Sequence, residues 1–286
     1  MTLVLGTRGS ALARAQAERV AARLGADVEL RVVRTHGDDS SRPLRELGDG
    51  SFVVALEQAL RRGEIDAAVH SLKDVPTDDR DGLVIAAIPE REDARDVLVT
   101  RARRGLASLV QNARVGTGSA RRAAFLRAVR PDVRCDDIRG NVDTRLAKVR
   151  GGEYDAAVLA LAGLRRLGVD AGDDEILPLE AMLPAPGQGA LAVQCRHDDD
   201  ATRARLAKID APTIRRAVDA ERMLLRELGG SCDLALGAHA IVVDGTITLR
   251  AALAIDGGIR RVSESGPDPL ALARSAASRL AAAHVG

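Results

Sequence analysis

Aromatic residues are nearly missing from this chain: its 286 residues contain no Trp, one Tyr and two Phe. A site that stacks bases or sugars on aromatic faces is therefore not expected. Cysteine is scarce and odd in number, at Cys135, Cys195 and Cys232, with no Cys-x-x-Cys and no Cys/His metal spacing. Neither a disulfide framework nor a metal site is indicated. Lysine is confined to Lys73, Lys148 and Lys208, so nearly all of the 42 basic residues are arginine. That excess fits a demand for forked recognition of carboxylates or phosphates, and equally a compositional drift toward arginine and alanine, so position must decide. The net charge of +1 lacks the basic surplus of a general nucleic-acid binder. No apolar run approaches the ~18 residues of a membrane helix, and no basic-then-apolar leader precedes Leu3. The expectation is a soluble, cytoplasmic protein of two or three domains with no nucleic-acid or membrane partner.

The richest chemistry lies in Asp66-Ala67-Ala68-Val69-His70-Ser71-Leu72-Lys73-Asp74-Val75-Pro76-Thr77. Asp66 to Val69 reads as a short buried strand, and Pro76 stops the element because it has no N–H and biases Val75 to an extended conformation. His70, Ser71, Lys73 and Asp74 then crowd the strand's carboxyl end, where open α/β sheets bind ligands. A surface Lys–Asp pair in a turn is the plainer alternative.

Upstream, Leu3-Val4-Leu5 forms a strand that runs into Gly6-Thr7-Arg8-Gly9-Ser10 and a helix over 11–24 with Ser10 as N-cap. Free N–H groups at that helix start suit an anion, with Arg8 at hand; a tight glycine turn is the alternative. A strand over 28–33 precedes a polar, glycine-bearing stretch at 35–50, long enough for a mobile flap. A helix over 52–60 places Phe52, Leu56 and Leu60 on one face. Strands at 83–88 and 97–100 bracket a charged stretch, Glu90 to Asp96, and the chain is expected to cross to a second lobe near residues 88–100.

The pattern then restarts. Arg114-Val115-Gly116-Thr117-Gly118-Ser119-Ala120 resembles Leu5-Gly6-Thr7-Arg8-Gly9-Ser10-Ala11, and Gly152-Glu153-Tyr154-Asp155-Ala156-Ala157-Val158 nearly repeats Gly63-Glu64-Ile65-Asp66-Ala67-Ala68-Val69. Two short repeats in the same order predict two similar α/β lobes, each opening on a helix terminus suited to anions. Arg121 and Arg122 sit at the second terminus, Arg139 and Arg145 flank the turn at Gly140-Asn141, and Arg165-Arg166 follow the repeated strand. Singly each is a common surface charge; together, beside glycine-rich turns, they suit a ligand with many negative charges.

Leu183-Pro184-Ala185-Pro186-Gly187-Gln188-Gly189-Ala190 is the clearest linker, and the strand at 191–195 is expected to return to the first lobe. That double crossing is the plan of two-lobe binding proteins that close over a ligand. Helices over 199–208 and 213–227 follow. Strands at 235–243, 247–255 and 259–262, joined by Asp244-Gly245 and Asp256-Gly257-Gly258 turns, and a helix over 269–283 complete a small α+β unit. Cys232 precedes it among glycines; a small buried thiol is the plain reading there.

Taken together, the chain resembles the porphobilinogen deaminase family over nearly its whole length. The matches are Gly6-Thr7-Arg8-Gly9-Ser10, His70-Ser71-Leu72-Lys73-Asp74-Val75-Pro76, Arg139-Gly140-Asn141-Val142, Pro186-Gly187-Gln188-Gly189-Ala190 and the glycine-flanked Cys232. The resemblance implies an α/β fold of two periplasmic-binding-protein-like lobes and a small α+β third domain with a three-stranded antiparallel sheet. The boundaries expected are 1–92 with 190–208, then 93–189, then 209–286. It implies a dipyrromethane cofactor, one per chain, held by a thioether to Cys232, and the head-to-tail joining of four porphobilinogen molecules with loss of ammonia to give the linear tetrapyrrole hydroxymethylbilane. Asp74 would be the catalytic carboxylate, hydrogen-bonding pyrrole N–H groups and stabilising the cation formed as the amine leaves. Arg8, Ser10, Lys73, Thr117, Ser119, Arg121, Arg122, Arg139, Arg145, Arg166 and Gln188 would bind cofactor or substrate, and Phe52 would pack over the site. A monomer is expected.

The chain departs from the family pattern at Asp49, where a lysine is common in the flap, and at Gly118, Ser231 and Ala235. The rival class is a non-catalytic two-lobe anion-binding protein. It shares the lobes and helix starts but leaves Cys232 and the third domain without a purpose.

Overall fold

The computed structural model describes residues 2–33, 51–101, 104–171, 174–230, 234–255 and 257–282, with side chains from Val53 onward in the helix that begins at Ser51. The expectations for the 35–50 stretch, Asp49, the Phe52 ring, Ser231 and Cys232 lie outside the described residues. The chain divides into two compact units, residues 1–92 with 190–215 and residues 93–189 with 216–286.

The first unit is built on a five-stranded sheet in the order β2-β1-β3-β10-β4. Its strands are β1 Leu3–Thr7, β2 Val28–Val32, β3 Ala67–Ser71, β4 Leu83–Ala87 and β10 Leu191–Arg196. β1 pairs parallel with β2 and β3, and β10 runs antiparallel between β3 and β4. β3 and β10 are buried on both faces, and apart from His70 and Gln194 their buried residues are small or apolar. Helix Ser51–Arg61 covers one face through Leu56, Ala59 and Leu60, which close over Ile65 and Ala68. Helix Ala11–Leu24 covers the other through Ala17 and Val20. Burying one leucine contributes roughly 1.5–3 kcal/mol, so these faces fix the register of the sheet. Residues 209–215 belong here because Ala211 N donates to Ile88 O at 3.1 Å, and Ile88 N to Asp210 Oδ1 at 2.7 Å.

The second unit holds a second five-stranded sheet, ordered β7-β6-β8-β5-β9. Here β5 is Asp96–Thr100, β6 Arg114–Gly116, β7 Arg134–Asp136, β8 Ala156–Ala160 and β9 Glu175–Ile176. The pairings repeat those of the first sheet: β6 is parallel to β7 and β8, and β5 lies antiparallel between β8 and β9. The two repeats seen in the sequence fall in one register, with Gly6 opposite Ala68 and Gly116 opposite Ala157. Each glycine is required by a close approach. A Cβ on Gly6 would run into the Ile65 side chain, and one on Gly116 would lie 2.8 Å from Ile138 Cδ1. Asp66 Oδ2 accepts from Val4 N at 2.8 Å and Asp155 Oδ2 from Arg114 N at 2.7 Å, so both acids pin the edge of the same strand pair.

The same unit carries a three-stranded antiparallel sheet of β11 Leu236–Val243, β12 Thr246–Ile255 and β13 Gly258–Gly266. Helices Pro212–Glu227 and Pro269–Ala281 pack on it through Ala220, Leu224, Ala273 and Leu280. β13 runs four residues past the expected Val262, through Ser263-Glu264-Ser265-Gly266. It is an edge strand whose polar residues can face water while its backbone still pairs with β12. Buried Glu221 accepts from Gly187 N at 2.7 Å and from Ala240 N at 2.6 Å, tying the Pro184–Gly189 linker to this sheet.

Candidate active site

In the first unit β3 delivers its polar residues at its carboxyl end, as the pattern predicts. Ser71 closes the strand, and Leu72–Asp74 form a single 3₁₀ turn whose buried Leu72 anchors it in the core. Leu72 N donates to Ala190 O at 3.0 Å and Val75 N to Leu72 O at 3.1 Å, so the turn is fixed at both ends. That fixture leaves Asp74 exposed and Lys73 half-buried. Ser71 Oγ accepts from Gln16 Nε2 at 3.0 Å. Ser10 caps helix Ala11–Leu24 by accepting from Ala13 N at 3.3 Å, and Arg8 is half-buried on the loop before it.

His70 is buried, and its Nε2 lies 3.1 Å from Gln194 Oε1. Burial drives its pKa down to about 4; the Gln194 bond opposes this, and the Arg8 charge adds to it.

The second unit brings other predicted residues together. Ser119 caps helix Ala120–Val129, and Thr117 Oγ1 accepts from Ser119 N at 3.2 Å. Arg121 and Arg122 do not reach outward: both are buried against Asp96, with Nη–carboxylate distances of 2.8 Å each. Arg122 also donates to Val158 O at 3.0 Å, and Arg121 to Leu183 O. Gln188 Nε2 donates to Asp96 Oδ1 at 2.9 Å and to Ala94 O at 2.7 Å. Burial alone would raise the Asp96 pKa, but the two guanidiniums outweigh it and hold the carboxyl below the usual range. Two cations around one anion leave this buried cluster a net positive charge at the Ser119 helix start. An anion beyond that start is favoured by the cluster and the helix dipole together.

Arg166 is buried and donates to Gly189 O at 2.7 Å. Arg139 pairs with Asp137 and is about one-third exposed. Arg145 Nε donates to Gly140 O at 2.8 Å, which turns its side chain back over the Gly140-Asn141 turn. Sequence reasoning missed Asp96, Glu57 and Gln194. Asp96 shows one weak signal, an acid opening the apolar run Asp96-Val97-Leu98-Val99.

Two cysteines are described. Cys195 is buried and its thiol is pushed up to about 11, chiefly by burial; Cys135 is half-buried and also raised by burial. Neither is suited to act as a thiolate near neutral pH. Among the described residues, no group of His, Cys, Asp and Glu could hold a metal ion, and no helix is long and apolar enough to cross a membrane.

Residues 3–204 match the family model "Porphobilinogen deaminase, dipyromethane cofactor binding domain", and residues 215–282 match that family's C-terminal domain. The chain belongs to the porphobilinogen deaminase family. Porphobilinogen deaminase 1 of Streptomyces coelicolor is 48% identical, the alignment covering 93% of this chain and 89% of that protein. Porphobilinogen deaminase of Syntrophobacter fumaroxidans is 47% identical over 92% of this chain and 88% of its own length. A solved Salmonella typhimurium periplasmic binding protein aligns at 16% identity and a TM-score of 0.41, over 73% of this chain and 91% of that one. The chain is an enzyme of the porphobilinogen deaminase family, with that family's cofactor-binding domain. Each unit by itself offers groups suited to carboxylates: half-buried Arg8 before the Ser10 helix start in the first, and in the second partly exposed Arg139 before helix Val142–Arg150 and the positive Asp96 cluster at the Ser119 helix start.

Proposed function

We propose that this enzyme joins four porphobilinogen molecules head to tail, releasing ammonia at each step, and yields the linear tetrapyrrole hydroxymethylbilane. The observation that carries the reading is Asp74, an exposed carboxylate on a turn fixed at both ends, in a chain of this family. A dipyrromethane bound through Cys232 would supply the pyrrole end to which new rings are added. Arg8, Ser10 and Lys73 from the first unit, and Thr117, Ser119, Arg139 and Arg145 from the second, would bind the acetate and propionate groups of cofactor and substrate. Arg121, Arg122, Arg166 and Gln188 would act from beneath, by field and by holding those turns in shape. Phe52 would pack over the rings.

Asp74 would accept from pyrrole N–H and offset the positive charge that grows on the ring as ammonia departs. That charge is larger in the transition state than in bound substrate, which is the condition for lowering the barrier. The reading includes a cytoplasmic monomer that needs no nucleic acid or membrane, and three domains at 1–92 with 190–208, 93–189 and 209–286.

Intact mass together with ammonia release from porphobilinogen tests it. The expected result is a two-pyrrole adduct lost in Cys232→Ala together with turnover. Full turnover by an unmodified chain would overturn the cofactor assignment, and failure to release ammonia from porphobilinogen by adduct-bearing protein would overturn the reaction.

A further inference from the structure

A cavity of about 610 Å³ opens in the second unit beside its three-stranded sheet, and Leu179, Leu183, Arg250, Arg261, Ser263 and Arg279 line it. That volume falls within the roughly 300–1,000 Å³ of small-molecule sites. The register of β12 and β13 sets Arg250 opposite Ser263 and Ala252 opposite Arg261, so these four share one face of the sheet. The face meets an apolar wall: Ala252 packs in one cluster with Leu183 and Phe125, and Leu179 is half-buried against it. A Cβ on Gly237 of β11 would lie 2.7 Å from Leu183 Cβ and 2.9 Å from Phe125 Cε2, so sheet and wall are held in close contact there. Three guanidiniums face two carboxylates around the cavity. Arg250 pairs with Glu180 at 3.3 Å, and Arg279 pairs with Glu264 at 2.5 Å. Arg261 has no carboxylate partner among the described residues; its guanidinium carbon lies 5.8 Å from the centre of the Phe125 ring. An aromatic ring attracts a cation without neutralising it, so one positive charge is left unmatched.

We propose that this cavity binds a small organic anion with a single carboxylate and an apolar body. The carboxylate takes the fork of Arg261, and the body lies on Leu179 and Leu183. Both halves are needed. Arg261 is exposed, and a simple anion gains little from an exposed charge in water. An apolar body adds the burial of its own surface and of the wall. A single negative charge matches the one unmatched guanidinium, whereas a polyanion would crowd against Glu180. None of the lining residues is among those read as binding cofactor or porphobilinogen, so the inference stands apart from the proposed reaction.

Calorimetric titration of the holoenzyme with 2-naphthoate, 2-naphthamide and acetate tests it. Naphthoate should bind, and naphthamide, equal in shape but uncharged, at least about tenfold more weakly. Acetate, which keeps the charge and lacks the body, should also bind at least about tenfold more weakly. Arg261→Gln should weaken naphthoate about tenfold. Leu179→Glu, which sets a negative charge on the apolar wall, should abolish its binding. Arg8→Gln and Arg139→Gln, at the reaction site, should leave it unchanged. The site is overturned by any of four results: no heat with naphthoate up to about 10 mM, naphthamide or acetate binding as tightly as naphthoate, wild-type affinity in Arg261→Gln, or a loss in Arg8→Gln or Arg139→Gln as large as in Arg261→Gln.

Discussion

The two α/β lobes share one scaffold and furnish it with different side chains. Strand order, pairing sense, the packed glycine and the pinning aspartate all repeat. Carrying the register forward sets His70 against Leu159, Lys73 against Ala162 and Asp74 against Gly163. In the first lobe the strand end is polar; in the second the same end is apolar, and helix Leu161–Arg166 packs there through Leu161 and Leu164. The buried polar centres differ as well. The first lobe keeps a neutral imidazole on an amide, and the second a carboxylate between two guanidiniums. Under the proposed reaction, a duplicated fold thus separates a reacting half from a half that supplies positive charge.

Removing Asp96 should break this contrast most severely. Asp96→Ala leaves two buried guanidiniums without their counter-charge, and the unfolding free energy should fall by about 3–5 kcal/mol. A thermal melt checks this, and a loss under about 1 kcal/mol would show that the cluster is well solvated. Next comes Asp74→Asn, which should fold like wild type and carry its adduct, yet release ammonia at least about a hundredfold more slowly, on the order of 3 kcal/mol in the barrier. Asp74→Glu should retain somewhat more activity, because its charge is kept and displaced by one methylene. Wild-type rates in Asp74→Asn would remove the assignment of the reacting half. Arg139→Lys keeps the charge and loses the fork, so kcat/KM should drop by about 1.5–3 kcal/mol equivalent; an unchanged value would make Arg139 a plain surface charge.

Acid should also separate the lobes. The folded pKa of His70, about 4, lies below its ordinary 6.5, so the unfolded chain takes the proton first. Stability from this group is full above about pH 6.5 and is lost as pH falls toward 4. Asp96 is held below the usual carboxylate range, so its contribution persists until pH falls under about 4. Unfolding free energies between pH 7 and 4 should therefore slope less in His70→Asn than in wild type. The smallest effects test the repeat itself. Asp155→Ala should cost about 1 kcal/mol through the lost bond to Arg114 N, and Asp66→Ala somewhat more because Asp66 also meets Arg196.

Much of this was legible in the sequence, for definable reasons. Gly6 and Gly116 are forced by contacts under 3 Å, and Asp66 and Asp155 by a strand edge that needs an acceptor, so they reappear as matching letters. Helix Ala11–Leu24 begins and ends where its cap and apolar spacing predict. The buried polar centres were hidden because their members are far apart in the chain. Asp96 meets Arg121 and Arg122 some 25 residues on, and Gln194 meets Glu57 across 137. No local pattern separates an arginine that reaches a ligand from one that neutralises a buried acid. Arg121 and Arg122 therefore read as ligand contacts, while the structure gives them to Asp96.

The position of β10 carries a consequence for biogenesis. β4 finds its partner in this strand, and β3 depends on it for its second neighbour, yet β10 leaves the ribosome only after the whole of residues 93–189. The sheet of the second lobe draws its strands from one uninterrupted stretch, Asp96 to Ile176. During synthesis the later lobe can therefore close while the earlier one still waits with β4 unpaired and an open sheet edge, the kind of surface that nascent chains aggregate through. Of the two five-stranded sheets, the first to be started is the second to be completed.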